Sequence, residues 1–175
     1  MTSFIKYKTR KTTAVLIALL VIAMTAVSCK NEDGKSWEKY IGEISYDSSI
    51  FAMRMENIED EEEPGIVYRE VNDINSVINN IDIPVMLYFF SSNSVDSAGV
   101  TAGVEDIAQK LDGKILVIGI DIMQHRDIVT RYDVSYVPDF VIVDHMVRKS
   151  NFNSINYDYW TTTDVYNWII EQGIG

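Results

Sequence analysis

Cysteine is almost missing from this 175-residue chain: Cys29 is the only one. A lone cysteine closes no disulfide within the chain, so stability has to come from the core. Histidine is as scarce, with His125 and His145 alone. Zinc sites draw three or four His, Cys or carboxylate ligands at set spacing, and no such spacing is present, so no metal site is expected. Positive charge is thin, 15 Lys and Arg against 26 Asp and Glu. Four of the basic residues (Lys6, Lys8, Arg10 and Lys11) stand in the first 28 positions, which hold no acid, and leave 11 against 26, or −15, for the rest. Clustered Lys and Arg grip nucleic acid and anionic lipid, and this balance argues against both as partners. Its plainer meaning is solubility. No apolar run reaches the roughly 20 residues that span a bilayer.

What the N-terminus does have is a basic stretch, "KYKTRK", leading into "TTAVLIALLVIAMTAV" at 12–27. Its length is that of a signal peptide, expected to occupy 1–28. The small residues of "AVSC" then precede Cys29 and resemble the lipobox of bacterial lipoproteins, with Ala26 where Leu is more usual. The resemblance implies acylation of Cys29 as the mature N-terminus, a membrane anchor without a spanning helix. The alternative is an ordinary cleavage site and a secreted protein. Residues 29–47 read as a lipidated N-terminus and polar tether, and 48–175 as the folded domain.

Along that domain the pattern alternates between strand and helix. Phe51, Met53 and Met55 suggest a strand within 48–58, and "GIVYREV" a second. Between them "EDEEEPG" is a solvated acidic turn; a calcium loop would space its ligands around a sharp-bend glycine, so ion binding at Glu59–Glu63 is the lesser reading. Asn72 or Asp73 caps a helix carrying Ile74, Val77, Ile78 and Ile81, which Pro84 stops. "VMLYFF" and, between Lys114 and Asp121, the "ILVIGI" of "KILVIGID" are continuous apolar runs, as strands buried on both faces are. Between them lies a helix with Val100, Val104, Ile107, Ala108 and Leu111 on one face and Gly113 just past its end. A short helix through Ile128, Val129 and Tyr132 follows, then a hairpin turning near Asp144 and His145. A last helix opens on a capping box, Thr161 to Asp164, and buries Val165, Trp168 and Ile169. A mixed sheet with helices on both faces is expected.

From "IPVMLYFF" to "VPDFVIV" this order resembles the thioredoxin fold. The resemblance rests on Phe90 ending a buried strand, Gly113-Lys114 after the helix, Asp121 closing the next strand, Arg131-Tyr132, and the pair Val137-Pro138. It implies a thioredoxin-like three-layer α/β/α sandwich with a mixed central sheet. In that register Ser94 and Ser97 stand at the two redox cysteines, with Val95 and Asp96 between them. Asn93 replaces a Trp, and Tyr88 a buried carboxylate that assists proton transfer.

Thiol–disulfide exchange needs a thiolate attacking sulfur, and a helix N-terminus helps by stabilising that anion. A serine hydroxyl there is too weak an acid to respond, and it forms no disulfide. Thiol oxidoreductase chemistry at this turn is therefore excluded by composition. Serine at a helix start is an N-cap, and Asp96 suits the dipole of the first turn. A serine nucleophile would need an oriented base. Both histidines read as solvent-exposed, so no catalytic residue is assigned. The resemblance makes Pro138 a cis-proline facing the turn, next to backbone that in relatives pairs with an extended peptide; its other reading is purely geometric. Phe152, Tyr157, Tyr159 and Trp160 are a contact patch or ordinary packing.

The expected function is that of a lipid-anchored cell-envelope protein with a thioredoxin-like fold, redox-inactive, binding an unknown protein or peptide and needing no cofactor. It would face the periplasm or exterior. The alternatives are a non-redox activity at the Ser94–Ser97 turn, or an acidic ion-binding role.

Overall fold

The computed structural model describes residues 36–59, 61–152 and 154–175. The signal-peptide reading of 1–28, Cys29 and the first part of the tether lie outside them. The elements run β1 (Ile41–Ile44), β2 (Ile50–Glu56), β3 (Gly65–Val71), α1 (Ile74–Asn80), β4 (Val85–Phe90), α2 (Val95–Lys110), β5 (Leu116–Asp121), α3 (Arg126–Arg131), β6 (Asp139–Asp144), β7 (Val147–Phe152) and α4 (Thr162–Glu171). One seven-stranded sheet joins the strands in the order β1-β3-β2-β5-β4-β6-β7. Only β4 and β5 pair in parallel, through α2 as the crossover; the remaining ladders are antiparallel.

Period-two alternation sorts the sheet's side chains into two cores. Met86 and Tyr88 of β4, Val117 of β5 and Phe140 and Ile142 of β6 pack with Val104, Ile107 and Ala108 of α2 and with Val165, Trp168 and Ile169 of α4. Their neighbours Val85, Leu87, Phe89, Leu116, Ile118, Ile120, Val141 and Val143 pack on the opposite face, with Val77 and Ile78 of α1 and Ile128 of α3. Both faces are covered, which is why "VMLYFF" and "KILVIGID" carry no polar alternation before Asp121. The three-layer α/β/α expectation is met.

One expectation needs correction. The folded unit begins before Ser48: among the described residues it includes 36–47, which are no free tether. Trp37 is buried, a 3-10 turn covers Glu38–Tyr40, and β1 pairs with β3. Arg54 on β2 binds Glu38 at 2.9 Å, which ties this leading segment to the sheet. Polar composition disguised it, because an edge strand with one wet face needs few apolar residues. The strand expected within 48–58 is β2, which lies between β3 and β5, so Phe51 and Met53 face one core while Ala52 faces the other.

Local signals hold where expected. Asp73 caps α1, its carboxylate accepting Ser76 N–H at 3.1 Å and Ser76 Oγ–H at 2.7 Å. Gly113 has φ +73°, open to glycine at no steric cost. The capping box at Thr161 and Asp164 is formed. The β6–β7 hairpin turns on His145 and Met146, both at positive φ, as a two-residue turn matching the sheet's twist requires. Arg69 grips Glu56 with two bonds, at 2.7 and 2.6 Å, and this holds the Glu56 carboxyl below its usual range.

Gly119 is the tightest point of the sheet. A Cβ there would stand 2.4 Å from the tip of the Phe51 ring, which lies flat over β5 and stacks on Tyr68 at 4.4 Å. Gly119→Ala should destabilise the fold by about 1–3 kcal/mol through overpacking. Adding Phe51→Leu should recover part of that loss, as denaturant midpoints of the single and double variants will show; strictly additive losses would place the strain elsewhere.

Candidate functional site

The turn after β4 is built from hydroxyls bonded to backbone. Ser94 has extended φ/ψ and caps α2, its side chain accepting Ser97 N–H at 3.4 Å. Ser91 C=O accepts Ser94 N–H at 3.0 Å, and Ser91 Oγ accepts Asn93 N–H at 3.3 Å. Ser97 is only 1% exposed, and its Oγ accepts Ser91 N–H at 3.2 Å. Ser97 therefore closes the turn from inside, while Val95 stands 87% exposed on the first turn of the helix. Asp96 lies beside it in that first turn, where the helix dipole favours negative charge.

Tyr88 lies directly beneath. It is fully buried, and its hydroxyl donates to Ser97 C=O at 3.0 Å, with Thr101 Oγ1 at 3.1 Å. Burial raises its pKa, against a smaller opposing effect of the Thr101 hydrogen bond. The ring stacks between Phe90 and Phe140, at 5.6 and 5.4 Å. A phenol so placed braces the first turn of α2 and holds its proton.

The peptide bond Val137–Pro138 is cis. Register brings it to the same end of the sheet as the turn: Phe89 pairs with Asp139, so Pro138 stands opposite Phe90. Pro138 is buried, whereas Ser135 and Tyr136 are exposed, Tyr136 at 65%. Among the described residues, no backbone hydrogen bond engages Ser135, Tyr136 or Val137. Asp139 follows, more than half enclosed, with Phe140 N–H on its Oδ1 at 2.8 Å. Burial pushes its pKa up, and the Phe140 bond and Arg148 only partly oppose this.

The histidines divide. His145 is exposed and bonds Asp144 through Nδ1 at 2.5 Å. His125 departs from the expectation of full exposure: it is half-buried, and its Nε2 meets Ser49 Oγ at 2.7 Å. Its partner is thus in the β1–β2 connection, with no bond to Ser94 or Ser97 among the described residues. Phe152 and Trp160 of the aromatic patch are packing residues, edge-on to Phe140 at 6.1 and 5.7 Å. Tyr159 is 94% exposed. Glu59 and the side chains of 61–63 are exposed to solvent. Among the described residues, no group of three or more His, Cys, Asp or Glu is arranged to hold a metal ion, and no helix is long and apolar enough to cross a membrane.

Beside the turn, at the C-terminal ends of β4 and β5, lies a cleft of about 330 Å³ that sequence reasoning did not find. Tyr46, Phe51, Tyr68 and Phe90 line it, with Asp47, Ser48, Ser49, Ser92, Thr101, Asp121 and Gln124. Tyr68 donates to Glu105 at 2.5 Å, and burial first, then Glu105, drive its pKa upward. The one signal available was Asp121, a carboxylate ending a strand otherwise free of polar side chains.

The two serines are separable by stability. Ser97→Ala leaves the Ser91 N–H without its acceptor and should cost about 1–3 kcal/mol. Ser94→Ala removes a long cap bond and should cost about 0.5–1 kcal/mol, at the low end for N-caps. Denaturant unfolding of both variants checks the order, and the reverse ranking would contradict this geometry. Asp139 gives a pH test. A carboxyl whose pKa is raised on folding contributes stability below its unfolded pKa and loses it as pH rises through the folded one. Asp139→Asn should therefore stabilise the protein at neutral pH, with the gain shrinking as pH falls through the carboxylate range. A gain independent of pH would mean that burial of charge is not the cause.

No family model matches the chain, and no curated protein does. Solved structures do. The germline-specific thioredoxin Deadhead of Drosophila melanogaster is 21% identical, with a TM-score of 0.46 over 51% of this chain and 81% of its own. A Fasciola hepatica thioredoxin is 19% identical (TM-score 0.48, covering 56% and 89%), and one from Trypanosoma brucei brucei 14% identical (0.49, 56% and 80%). These likenesses concern the course of the backbone alone. The chain's own mixed seven-stranded sheet, helices on both faces and cis Val137–Pro138 bond fit a thioredoxin-like α/β fold.

Proposed function

We propose that this chain is a redox-inactive binding module of the cell envelope, held at a membrane by lipid on Cys29, that takes an extended protein or peptide segment beside Val137 and Pro138. The carrying observation is the backbone of Ser135, Tyr136 and Val137, free of hydrogen bonds among the described residues and exposed at the first two positions. Such backbone suits strand addition, where main-chain bonds give affinity and side-chain pockets give selection. Tyr136, exposed at 65%, is the natural anchor, since Tyr concentrates binding energy at interfaces. The chemistry of the turn supports a role without catalysis: Ser94 and Ser97 are engaged with backbone N–H groups, and neither carries a sulfur.

Two measurements test this reading. Full-length chain in its native membrane should take up labelled fatty acid, and Cys29→Ala should abolish the label and release the chain; a wild type that takes up none would leave a secreted protein. Insulin reduction should not occur, and turnover surviving Cys29→Ala would end the redox-inactive reading. For the groove, amide exchange at 135–137 should slow when a partner recovered by crosslinking is bound. Tyr136→Ala should weaken that binding about tenfold or more, the usual threshold for an anchor residue. Protection appearing elsewhere would move the binding face. A serine-directed probe that labelled Ser94 or Ser97 would favour a non-redox activity instead.

A further inference from the structure

The Asp121 carboxylate poses an electrostatic question that the peptide groove does not answer. Asp121 is 2% exposed at the end of β5. Its Oδ1 accepts Met123 N–H at 3.0 Å; Oδ2 has no hydrogen-bond partner among the described residues. Yet no side-chain oxygen or nitrogen among them is both sealed from solvent and unpartnered, so Oδ2 opens into the cleft it lines. A buried carboxylate is costly unless a cation or several donors answer it. Neither Lys nor Arg lines this cleft, and Asp47 adds a second acid at its rim. Among the described residues lining the cleft no cation answers it, which leaves that charge to an occupant.

The walls select the kind of cation. Tyr46, Tyr68, Phe51 and Phe90 form a continuous aromatic row, with centroids 5.4, 4.4 and 5.6 Å apart in turn. Calcium takes six to eight oxygen ligands, and no metal-holding group exists among the described residues. An organic ammonium group needs less: one carboxylate, a few acceptors and ring faces that attract its weakly hydrated charge. Ser48, Ser49 and Gln124 supply the acceptors. At about 330 Å³ the cleft is at the small end of ligand sites, the size for an amine and a short alkyl stem.

We propose that this cleft binds an organic ammonium group, with Asp121 as its counter-ion and the Tyr46–Tyr68–Phe51–Phe90 row as its wall. The site stands independently of peptide pairing at Val137, and one chemistry admits two sources, a free amine or a lysine side chain.

Calorimetry of the full-length chain in detergent micelles with n-butylammonium chloride tests it, with n-butanol and calcium chloride as controls. Saturable binding of butylammonium alone is expected. Asp121→Asn keeps the acceptor for Met123 N–H and should weaken binding about tenfold or more, the loss of a charge-assisted contact. Tyr46→Ala alters a residue 67% exposed, so it keeps the test available should Asp121→Asn fail to fold; about threefold weakening is expected for an exposed cation–π contact. No saturable binding, equal binding of butanol, tighter binding of calcium, or unchanged affinity in a folded Asp121→Asn or Tyr46→Ala variant would overturn the proposal. A short lysine peptide and its ε-acetylated form identify the source. Preference for the unmodified peptide over butylammonium assigns the lysine side chain, and the opposite preference assigns a free amine; either supports the site.

Discussion

The parallel pairing of β4 with β5 is the constraint from which the rest of the architecture follows. Parallel strands need a crossover long enough to return the chain to the same end, and the 16-residue α2 provides it. Because helices then cover both faces, both strands must be apolar on both sides until their last residue. Their polar ends, Ser91 after Phe90 and Asp121 after Ile120, consequently meet at one edge of the sheet. The serine turn, the backbone before Pro138 and the cleft all stand at that end. A change that weakened the Phe90–Asp121 end of the ladder would disturb the α2 cap, the Pro138 strand and the cleft together.

Hydroxyls at the start of α2 give this turn a physics that thiols would not. A thiolate there would be stabilised by the helix N-terminus yet stay unbonded enough to react. Hydroxyls reach their best state by bonding, and Ser97 does so from a nearly sealed position, accepting the Ser91 N–H. Tyr88 braces the turn from below: a carboxylate at its place would carry charge into the core, whereas the phenol gives one hydrogen bond to Ser97 C=O and a ring stacked between Phe90 and Phe140. The result is a turn whose hydroxyls are satisfied by backbone N–H groups.

Periodicity and punctuation made most of this fold legible before any coordinates. The doubly buried strands, the α2 stripe, the Asp73 cap, the capping box and a hairpin turning near His145 each have a local cause that one sequence displays. What stayed hidden depends on contacts distant in sequence. Nothing in "KNEDGKSWEKY" announces that Trp37 is buried, since that depends on where α1 lies. Nothing in Ser49 announces His125, which is 76 residues away. The aromatic row is likewise assembled from three separate segments, Tyr46 with Phe51, Tyr68 and Phe90, which only the sheet brings together.

That row exists because of a reversal in the sheet. β2 runs antiparallel to β5, so its first residues lie beside the last residues of β5, and Asp121 N–H donates to Ser49 C=O at 2.9 Å. The β1–β2 connection, with Tyr46, Asp47, Ser48 and Ser49, is thereby brought to the carboxyl ends of β4 and β5. A parallel β2 would have brought its acidic far end there and left the Asp121 carboxylate beside Glu56. Gly119 then lets the Phe51 ring lie flat against the sheet two residues before Asp121, on the same face, with Phe90 edging it from β4. The cleft is thus a consequence of topology and of one missing side chain. In open α/β sheets, ligands commonly bind outside the carboxyl ends of the strands. This sheet shares that geography, and the buried Asp121 carboxylate is the group that would select an occupant there.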